Sequence, residues 1–319
     1  MSERGGTTAA GAGADADFEE GRYVFCVVAV DDPDDVVFST AGIEEGETEL
    51  VVADGEDTDT VAAVVQPVTG PFDSSVPAEI QRWLLDHQRV VDEAGERFGT
   101  PLPFRFDTVV RGDDDAVRAW LSEERPRLVE ALDRFDGRWE YRVEVVYDRE
   151  DAREEVAAAD DELAELQAEI DAADEGTAFL LEKKYERRLE SLLGEREAER
   201  AAGLAARLEP LVDGFGDLGD RPSLGLDVGD ADDESETLAR FALLADDDGT
   251  EAVGDELDAV AADPGVEVRF TGPWPPYSFA PSFGEVGDRG EGRGDGDGGS
   301  APGADSGAEA DGPDSDPTP

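Results

Sequence analysis

Cationic side chains are the scarcest feature of this chain of 319 residues. Lysine and arginine together number 27 against 82 aspartates and glutamates, which leaves a formal net charge of -55, and the only lysines are Lys183 and Lys184. Phosphate binding needs clustered lysine and arginine, and the same residues bring proteins to anionic membrane surfaces. The composition therefore predicts neither nucleic acid nor a membrane as a partner.

Cysteine and histidine are nearly absent as well, which limits the chemistry available to the chain. The single cysteine, Cys26, rules out an internal disulfide and any site built from several thiolates. It falls in an apolar run, where a buried side chain is expected, since a reactive thiol needs electropositive surroundings. His87, the only histidine, lies at the edge of an apolar helical stripe, which favours a packing role over that of a general base. We expect no metal and no cofactor.

Motifs of known catalytic sites are missing too. The chain contains no P-loop, no H-E-x-x-H and no G-x-S-x-G pattern. The stretch GFGDLG (residues 214–219) fits G-x-G-x-x-G, but a dinucleotide site needs a preceding strand and a following helix. Here a helical pattern precedes it and Pro222 follows, so a flexible loop is the favoured interpretation. The sequence predicts no small-molecule substrate.

Long apolar runs are lacking, since none approaches the roughly 18 residues that a membrane-spanning helix needs. The opening MSERGGTTAAGAGADADFEEG has no apolar core of the kind that secretory signals carry. Like charge destabilises a compact fold at ordinary ionic strength, whereas in about 1 M salt the screening length is only roughly 3 Å. We therefore expect a cytoplasmic protein of a salt-rich cell, whose carboxylates form a solvated surface.

What the chain does contain is a region of about 260 residues between two polar ends, enough for two modest cores. Residues 1–20 and 284–319 are small, polar and acidic, and we expect both ends to be disordered. The pattern between them predicts an α+β fold with an N-terminal α+β domain over 21–137 and a C-terminal domain over 138–283.

The first of these domains combines β-forming runs with two amphipathic helical patterns. RYVFCVVAV is a continuous apolar run, typical of a buried strand. Serine and proline before the first helical pattern and Gly99 after it are start and stop signals. The other predicted strands are TELVVAD, TVAAVVQPV and PLPFRFDTVV, and the predicted helices are SSVPAEIQRWLLDHQRVVDEAGERFG and DDDAVRAWLSEERPRLVEALDRFDG.

The second domain begins with RWEYRVEVVYD, whose alternating apolar residues indicate a half-buried strand. A strongly helical region follows, at about 150–210, which we interpret as two helices paired as a hairpin with a bend at DAADEGTA. The remaining elements are the strands SLGLDV, TLARFALLA and GVEVRFTG and the helix GTEAVGDELDAVAAD. The order β-α-β-β-α-β predicts a ferredoxin-like domain with a long helical hairpin insert.

A rigid aromatic stretch, TGPWPPYSFA, follows the last predicted strand. Its prolines cannot donate to a ladder, so we expect the strand to end there. The aromatic rings carry large apolar area at low entropic cost, which suits either packing on the other domain or binding a partner. The candidates for these two roles are Trp274, Pro275, Pro276, Tyr277 and Phe279.

Four stretches, in this order, resemble the gas vesicle accessory proteins of the F and L type: RYVFCVVAV, PLPFRFDTVV, RWEYRVEVVYD and TGPWPPYSF. The length and the helical insert favour the L type. The chain departs from the family pattern at Asp107 and Cys26, where glycine is common. The second stretch adds Phe104, Arg105 and Phe106 to the candidates for partner binding or domain packing.

The resemblance implies a non-enzymatic protein that assists gas vesicle assembly by contacting the hydrophobic shell protein and other accessory proteins. A highly charged protein with a few apolar anchors could keep such a shell subunit soluble. Two alternatives stay open. One is an enzyme that acts through carboxylates or His87 in a cleft between the domains, and the other is a scaffold that self-associates through the helical hairpin.

Overall fold

The structure, a computed structural model, describes residues 18–31, 37–53, 60–219 and 235–283. In these ranges the chain forms two antiparallel sheets, with nine strands and six α-helices. The fold class is α+β, as the sequence predicts. The predicted disordered ends, apart from residues 18–20, lie outside the described residues, and so does the predicted strand SLGLDV.

The first sheet contains five strands and lies between two long helices. Its strands follow the spatial order β2-β3-β1-β4, with β5 also paired to β1. All of the pairings are antiparallel. The elements are β1 (Gly21–Ala29), β2 (Glu49–Ala53), β3 (Val61–Val68), α1 (Pro77–Phe98), β4 (Leu102–Pro103), β5 (Val109–Arg111) and α2 (Asp114–Phe135).

The central strand β1 is buried on both faces, which explains its unbroken apolar sequence. Val24 and Val27 pack in a cluster with the apolar face of α2, while Phe25 and Cys26 pack with that of α1. Consecutive residues of a strand normally face opposite sides. Phe25 and Cys26 face the same side because a bulge interrupts the ladder between Val24 and Cys26. The first sheet is therefore the middle layer of a helix–sheet–helix sandwich.

The stretch PLPFRFDTVV is not the single strand that the sequence predicts. It forms two short strands, β4 and β5, which both pair with β1. Between them the chain turns at Asp107, whose φ is 66°, in the left-handed region that favours glycine. The prediction failed here because β propensity does not show a turn that a non-glycine residue makes.

The second sheet contains four strands in the spatial order β7-β8-β6-β9, all antiparallel. Its interior side chains pack against the end of α5 and against α6, around a core that includes Val143, Phe241 and Leu208. The elements are β6 (Trp139–Asp148), α3 (Arg149–Ala159), α4 (Asp161–Ala172), α5 (Glu175–Leu208), β7 (Gly214–Asp217), β8 (Ser235–Ala245), α6 (Asp247–Ala261) and β9 (Val266–Trp274).

The helical region after β6 contains three helices where the sequence predicts two. The unpredicted break lies at Asp160, whose carboxylate accepts a hydrogen bond of 2.9 Å from the N–H of Leu163 and so caps α4. The same carboxylate pairs with Arg188 of α5, and these contacts lower the pKa of Asp160 to about 2. The predicted bend near Asp174 is present, because this residue caps α5.

The glycine-rich stretch GFGDLG is not a flexible loop. Gly214 to Asp217 form β7, the edge strand that pairs with β8. A Cβ on Gly214 would lie 3.0 Å from the ring of Phe279 and 3.1 Å from the Cβ of Leu244. At this position the absence of a side chain allows close packing, and the loop interpretation was wrong because it weighed only backbone freedom.

Candidate functional site

The aromatic stretch after the second sheet is the sequence-predicted site, and its first residues belong to β9. Trp274 pairs with Glu140 across a bulge, so the ladder continues past the first proline of the stretch, and the expected strand end was wrong. Trp274 is half-buried, and its ring nitrogen lies 3.5 Å from the hydroxyl of Thr271. Pro275 and Pro276 are both buried.

Residues 275–283, here called the closing segment, begin with a compact turn. Pro275 O accepts a hydrogen bond of 2.8 Å from the N–H of Tyr277, and Pro276 O accepts one of 3.0 Å from that of Ala280. The prolines fix φ at the start of this turn. The turn directs the chain from the end of β9 toward the first sheet.

Glu140 of β6 holds the closing segment by its carboxylate. It accepts hydrogen bonds from the N–H of Ser278 at 2.7 Å and from the hydroxyl of Ser278 at 2.9 Å. Arg142 lies beside it, with Nε 3.2 Å from a carboxylate oxygen. Glu140 is 0% exposed. A buried carboxylate needs such partners, because leaving it unpaired would cost several kcal/mol.

Tyr277 carries the contact across to α1 and β1. Its ring lies 6.3 Å from that of His87, and its hydroxyl is buried without a hydrogen-bond partner among the described residues. Burial raises the pKa of Tyr277 well above its usual value. The side chain thus acts at this junction mainly by packing.

Phe279 and Phe283 complete the core on the α2 face of the first sheet. Both pack against the cluster that also holds Val24, Leu128 and, from the second sheet, Leu244. Arg127 of α2 donates a hydrogen bond of 2.8 Å to the carbonyl of Ser282, and its guanidinium lies 4.8 Å from the ring centroid of Phe283. The closing segment is therefore part of a core that begins at β1.

The second group of predicted residues meets the closing segment only in part. Phe104 stacks near Phe283, with ring centroids 5.4 Å apart, and its N–H bonds the carbonyl of Phe25 at 2.9 Å. Phe106 lies on the other face, with its ring 6.2 Å from His87. Arg105 is exposed, and its carbonyl accepts a hydrogen bond from the hydroxyl of Thr108 at 2.7 Å.

His87 and Cys26 lie inside the core of the first sheet. His87 Nδ1 and the hydroxyl of Tyr23 are 2.8 Å apart, and the rings of Phe25 and Phe106 surround the imidazole. Burial lowers the pKa of His87 to about 4, although the backbone of Phe104 opposes the shift. Burial also raises the pKa of the Cys26 thiol. This arrangement keeps the imidazole neutral at pH 7 and the thiol protonated, as packing side chains would be.

Sequence reasoning missed the residues that fasten the closing segment. Glu140 is one of the charged residues that alternate with the apolar ones in RWEYRVEVVYD, and neither it nor Ser278 nor Phe283 is among the predicted candidates. One signal was available, because Phe279 and Phe283 are four residues apart in a stretch that otherwise turns polar. The carboxylate gave no signal, since 82 acidic residues hide a single buried one.

Metal sites and membrane-spanning helices bear on other functions of residues 18–31, 37–53, 60–219 and 235–283. Among those residues, no group of three or more histidine, cysteine, aspartate or glutamate side chains is placed to hold a metal ion. Of the helices in the same ranges, none combines the length and the apolar character needed to cross a membrane.

Comparison with known proteins gives matches over most of the chain. The family model described as "Gas vesicle synthesis protein GvpL/GvpF" matches residues 21–281. Gas vesicle protein L2 of Halobacterium salinarum is 42% identical over 269 residues, which cover 84% of this chain and 94% of that protein. Gas vesicle protein L of Haloferax mediterranei is 37% identical over 249 residues, which cover 78% of this chain and 75% of that protein.

Two solved structures share the fold. The crystal structure of GvpF from an Anabaena species matches with a TM-score of 0.64 at 18% identity, and the match covers 83% of this chain and 99% of that one. GvpF from Microcystis aeruginosa matches with a TM-score of 0.57 at 14% identity, covering 82% and 99% of the two chains. At these identities the likeness concerns the fold alone.

Proposed function

Because the chain belongs to the GvpL/GvpF family of gas vesicle synthesis proteins, we propose that it is a non-enzymatic accessory protein of gas vesicle assembly. It works in the cytoplasm at the growing vesicle, where it binds the hydrophobic shell protein and other accessory proteins. The observation that carries this proposal is the family match over residues 21–281, which span both sheets and most of the closing segment. The L type is favoured because both haloarchaeal relatives described above are L proteins.

The proposed domain organisation follows the two sheets. We interpret residues 21–137 as an α+β unit and residues 138–283 as a ferredoxin-like unit with α3, α4 and most of α5 inserted in its first crossover. The strand order β7-β8-β6-β9, with antiparallel neighbours, supports the second assignment. The closing segment then joins the two units.

The charge and the apolar surface of the chain suit a protein that keeps another one soluble. A shell subunit with exposed apolar surface aggregates unless a partner covers that surface. A partner with a net charge of -55 would keep the resulting complex dispersed in brine, because its carboxylates hold water at the surface. Such a partner needs exposed apolar side chains for the contact itself.

The residues predicted from sequence are mostly engaged inside the molecule, so we propose that they pack the two units together. We place the shell-binding contact instead at the start of α1. There Val76, Ile80 and Leu85 are 47%, 37% and 50% exposed. These three residues are here called the α1 apolar surface. Ile80 and Leu85 belong to α1 and Val76 is its N-cap residue, and exposed apolar side chains of this kind can mark a protein-binding surface.

The experiment measures aggregation of the shell protein of the same host, diluted from denaturant into molar potassium chloride, by light scattering. Wild-type chain at equimolar ratio is expected to suppress the scattering. Ile80→Asp with Leu85→Asp should abolish the suppression, and because Ile80 is only 37% exposed, the melting temperature is compared with wild type to show that the variant folds. Gln81→Asp, an exposed neighbour that adds charge but removes no apolar group, is the matched control.

The outcomes test the proposed function and the proposed binding surface separately. If wild-type chain neither suppresses scattering nor co-purifies with the shell protein, the proposed function is wrong. If the double variant suppresses scattering as well as the control does, the α1 apolar surface is not the contact. Self-association of the chain is the second candidate function, and the exposed side chains of Phe179 and Leu180 favour it, at 56% and 67% exposure.

A further inference from the structure

The start of α5 carries an exposed surface that is both apolar and basic. Phe179, Lys183 and Arg187 are spaced four residues apart and share one face of the helix, with Leu180 beside them. The ammonium of Lys183 lies 5.1 Å from the ring centroid of Phe179. Neither Lys183 nor Arg187 forms an ion pair with any described residue. These four residues are here called the basic tip.

The basic tip is unusual for this chain. Most arginines of α3 and α5 are engaged. Arg149, Arg153 and Arg196 pair with glutamates of a neighbouring helix, Arg188 pairs with Asp160 and Glu162, and Arg207 pairs with Glu256 of α6. In a protein with 82 acidic residues, two unpaired cations beside two exposed apolar side chains form a surface ready to meet carboxylates.

An open groove beside the first sheet is rich in acidic residues, in contrast to the basic tip. It has a volume of about 700 Å³, within the range of roughly 300–1,000 Å³ of binding pockets. Its apolar floor contains Phe72 and Trp83, whose ring centroids are 5.4 Å apart, together with Pro67 and Pro71. The groove is large enough for an apolar side chain, to which Phe72, Pro67 and Pro71 offer apolar contacts, whereas Trp83 is only 6% exposed.

Carboxylates surround this floor. The charged residues that line the groove are Glu19, Glu20, Arg22, Glu44 and Asp73. Arg22 is engaged inside the protein by Asp114 at 2.7 Å and by Glu20 at 3.2 Å. The carboxylate of Glu44 accepts a hydrogen bond of 3.2 Å from the indole of Trp83. Glu19 and Asp73 form no ion pair with any described residue, so their carboxylates are available to a bound cation.

We propose that two copies of this chain associate head to tail, with the basic tip of one copy docked in the acidic groove of the next. Phe179 and Leu180 would lie against Phe72 and Pro71, and Lys183 and Arg187 would face Glu19 and Asp73. One chain carries both the basic tip and the acidic groove, and the cations of the tip complement the carboxylates of the groove. A second copy is therefore the occupant that the charges and the apolar side chains fit.

The two kinds of contact have different tasks in brine. In about 1 M salt the screening length is roughly 3 Å, so only ion pairs in direct contact keep their effect. Burial of the apolar side chains then supplies most of the affinity. The cations set the orientation of the two copies, because any orientation that buries Lys183 or Arg187 without a carboxylate partner is unfavourable. The association is expected to survive molar salt.

The geometry of such a contact has a consequence for the assembly. The tip and the groove are different surfaces, so each bound copy leaves one tip and one groove free. An interface of this heterologous kind builds rings or open chains, whereas a symmetric one stops at a dimer. The proposal uses surfaces other than the α1 apolar surface and does not depend on the shell-binding proposal.

The test uses the full chain in molar potassium chloride and measures its mass by sedimentation over a range of concentrations. The tip variant is Lys183→Glu with Arg187→Glu, and the groove variant is Glu19→Lys with Asp73→Lys. All four side chains are exposed, and equal melting temperatures would show that the variants fold. Wild-type mass should rise with concentration beyond a dimer, while each variant alone should need about tenfold or more protein to associate.

The decisive sample is the equimolar mixture of the two variants. In the mixture the native tip of the groove variant meets the native groove of the tip variant, and the reversed tip meets the reversed groove with opposite charges again, so the mixture should regain the assembly that each variant loses alone. Phe179→Ala with Leu180→Ala should weaken wild-type assembly in the same assay. A wild-type chain that stays monomeric overturns the proposal, and so does a mixture that associates no better than its components or a groove variant that assembles like wild type.

Discussion

Glu140 and Ser278, which are 138 positions apart in the chain, are joined by two hydrogen bonds that link the second sheet to the closing segment. The carboxylate is fully buried, so this pair fixes where the closing segment leaves β9 and how Phe279 enters the first core. The sequence-predicted aromatic residues thus depend on a polar contact for their position.

Replacing Glu140 by alanine is expected to lower the free energy of unfolding by about 2–3 kcal/mol, because two donors of Ser278 lose a charged acceptor. Glu140→Gln keeps one acceptor oxygen and should lose less. Denaturant unfolding in molar salt measures the change, and hydrogen exchange should rise first in residues 275–283. The control is Glu267→Gln, which removes an exposed carboxylate paired with Arg269. Equal losses at both positions would contradict the role given to Glu140.

The hydroxyl of Tyr277 is expected to be dispensable, since it is buried without a partner among the described residues. Tyr277→Phe should leave stability unchanged or raise it by about 1 kcal/mol, because an unsatisfied polar group is removed. Tyr277→Ala should lower it by about 3 kcal/mol through the cavity left behind. Thermal unfolding of the two variants tests this. A large loss in Tyr277→Phe would show that the hydroxyl binds something.

His87 should make the fold sensitive to acid. Its pKa is about 4 when folded and 6.5 when unperturbed, so below pH 6.5 the unfolded chain takes up a proton that the folded chain does not. Stability from this residue is therefore complete above pH 6.5 and falls as the pH drops to 4, by about 3 kcal/mol in all. The measurement is the difference in the free energy of unfolding between wild type and His87→Gln at each pH. Protonation of the carboxylates affects both proteins alike and cancels in this difference. A difference that stays constant with pH would contradict the prediction.

Variants of Asp107 test the cost of its left-handed backbone separately from the contribution of its side-chain hydrogen bond. Its φ is 66°, and its carboxylate accepts a hydrogen bond of 3.3 Å from the N–H of Phe72. Asp107→Gly relieves the left-handed backbone and should match or exceed wild type in melting temperature. Asp107→Ala keeps that backbone cost without the hydrogen bond and should be less stable than Asp107→Gly by about 1 kcal/mol. An Asp107→Ala variant as stable as Asp107→Gly would contradict the cost assigned to φ, and a wild type more stable than Asp107→Gly would show that the hydrogen bond outweighs that cost.

The sequence was most informative where a periodic pattern decides the structure. β1, α1 and β6 follow directly from apolar runs or alternation, because burial of those side chains is the dominant favourable term. The four stretches that indicated the family were also correct, and the family model covers all of them. These features depend on local sequence and on burial alone.

The sequence was least informative where the local structure depends on a single contact between residues that are distant in the chain. Asp160 was one acidic residue among many, yet its cap and its pair with Arg188 divide the helical region. Gly214 was judged by its backbone freedom, although the ring of Phe279 explains its presence. For the candidate site, the aromatic residues could be found from composition, whereas Glu140 could not, and Phe283 was missed although its spacing from Phe279 was a signal.

The packing of Phe279 and Phe283 into the first core also concerns the timing of synthesis. β1 leaves the ribosome early, but the side chains that cover its α2 face are complete only after residue 283 has been made. A nascent chain that stops short of this point exposes Leu128 and its neighbours, and such surfaces attract chaperones or aggregate. The α2 side of the first core is therefore fully covered only when synthesis has passed the second sheet and reached Phe283.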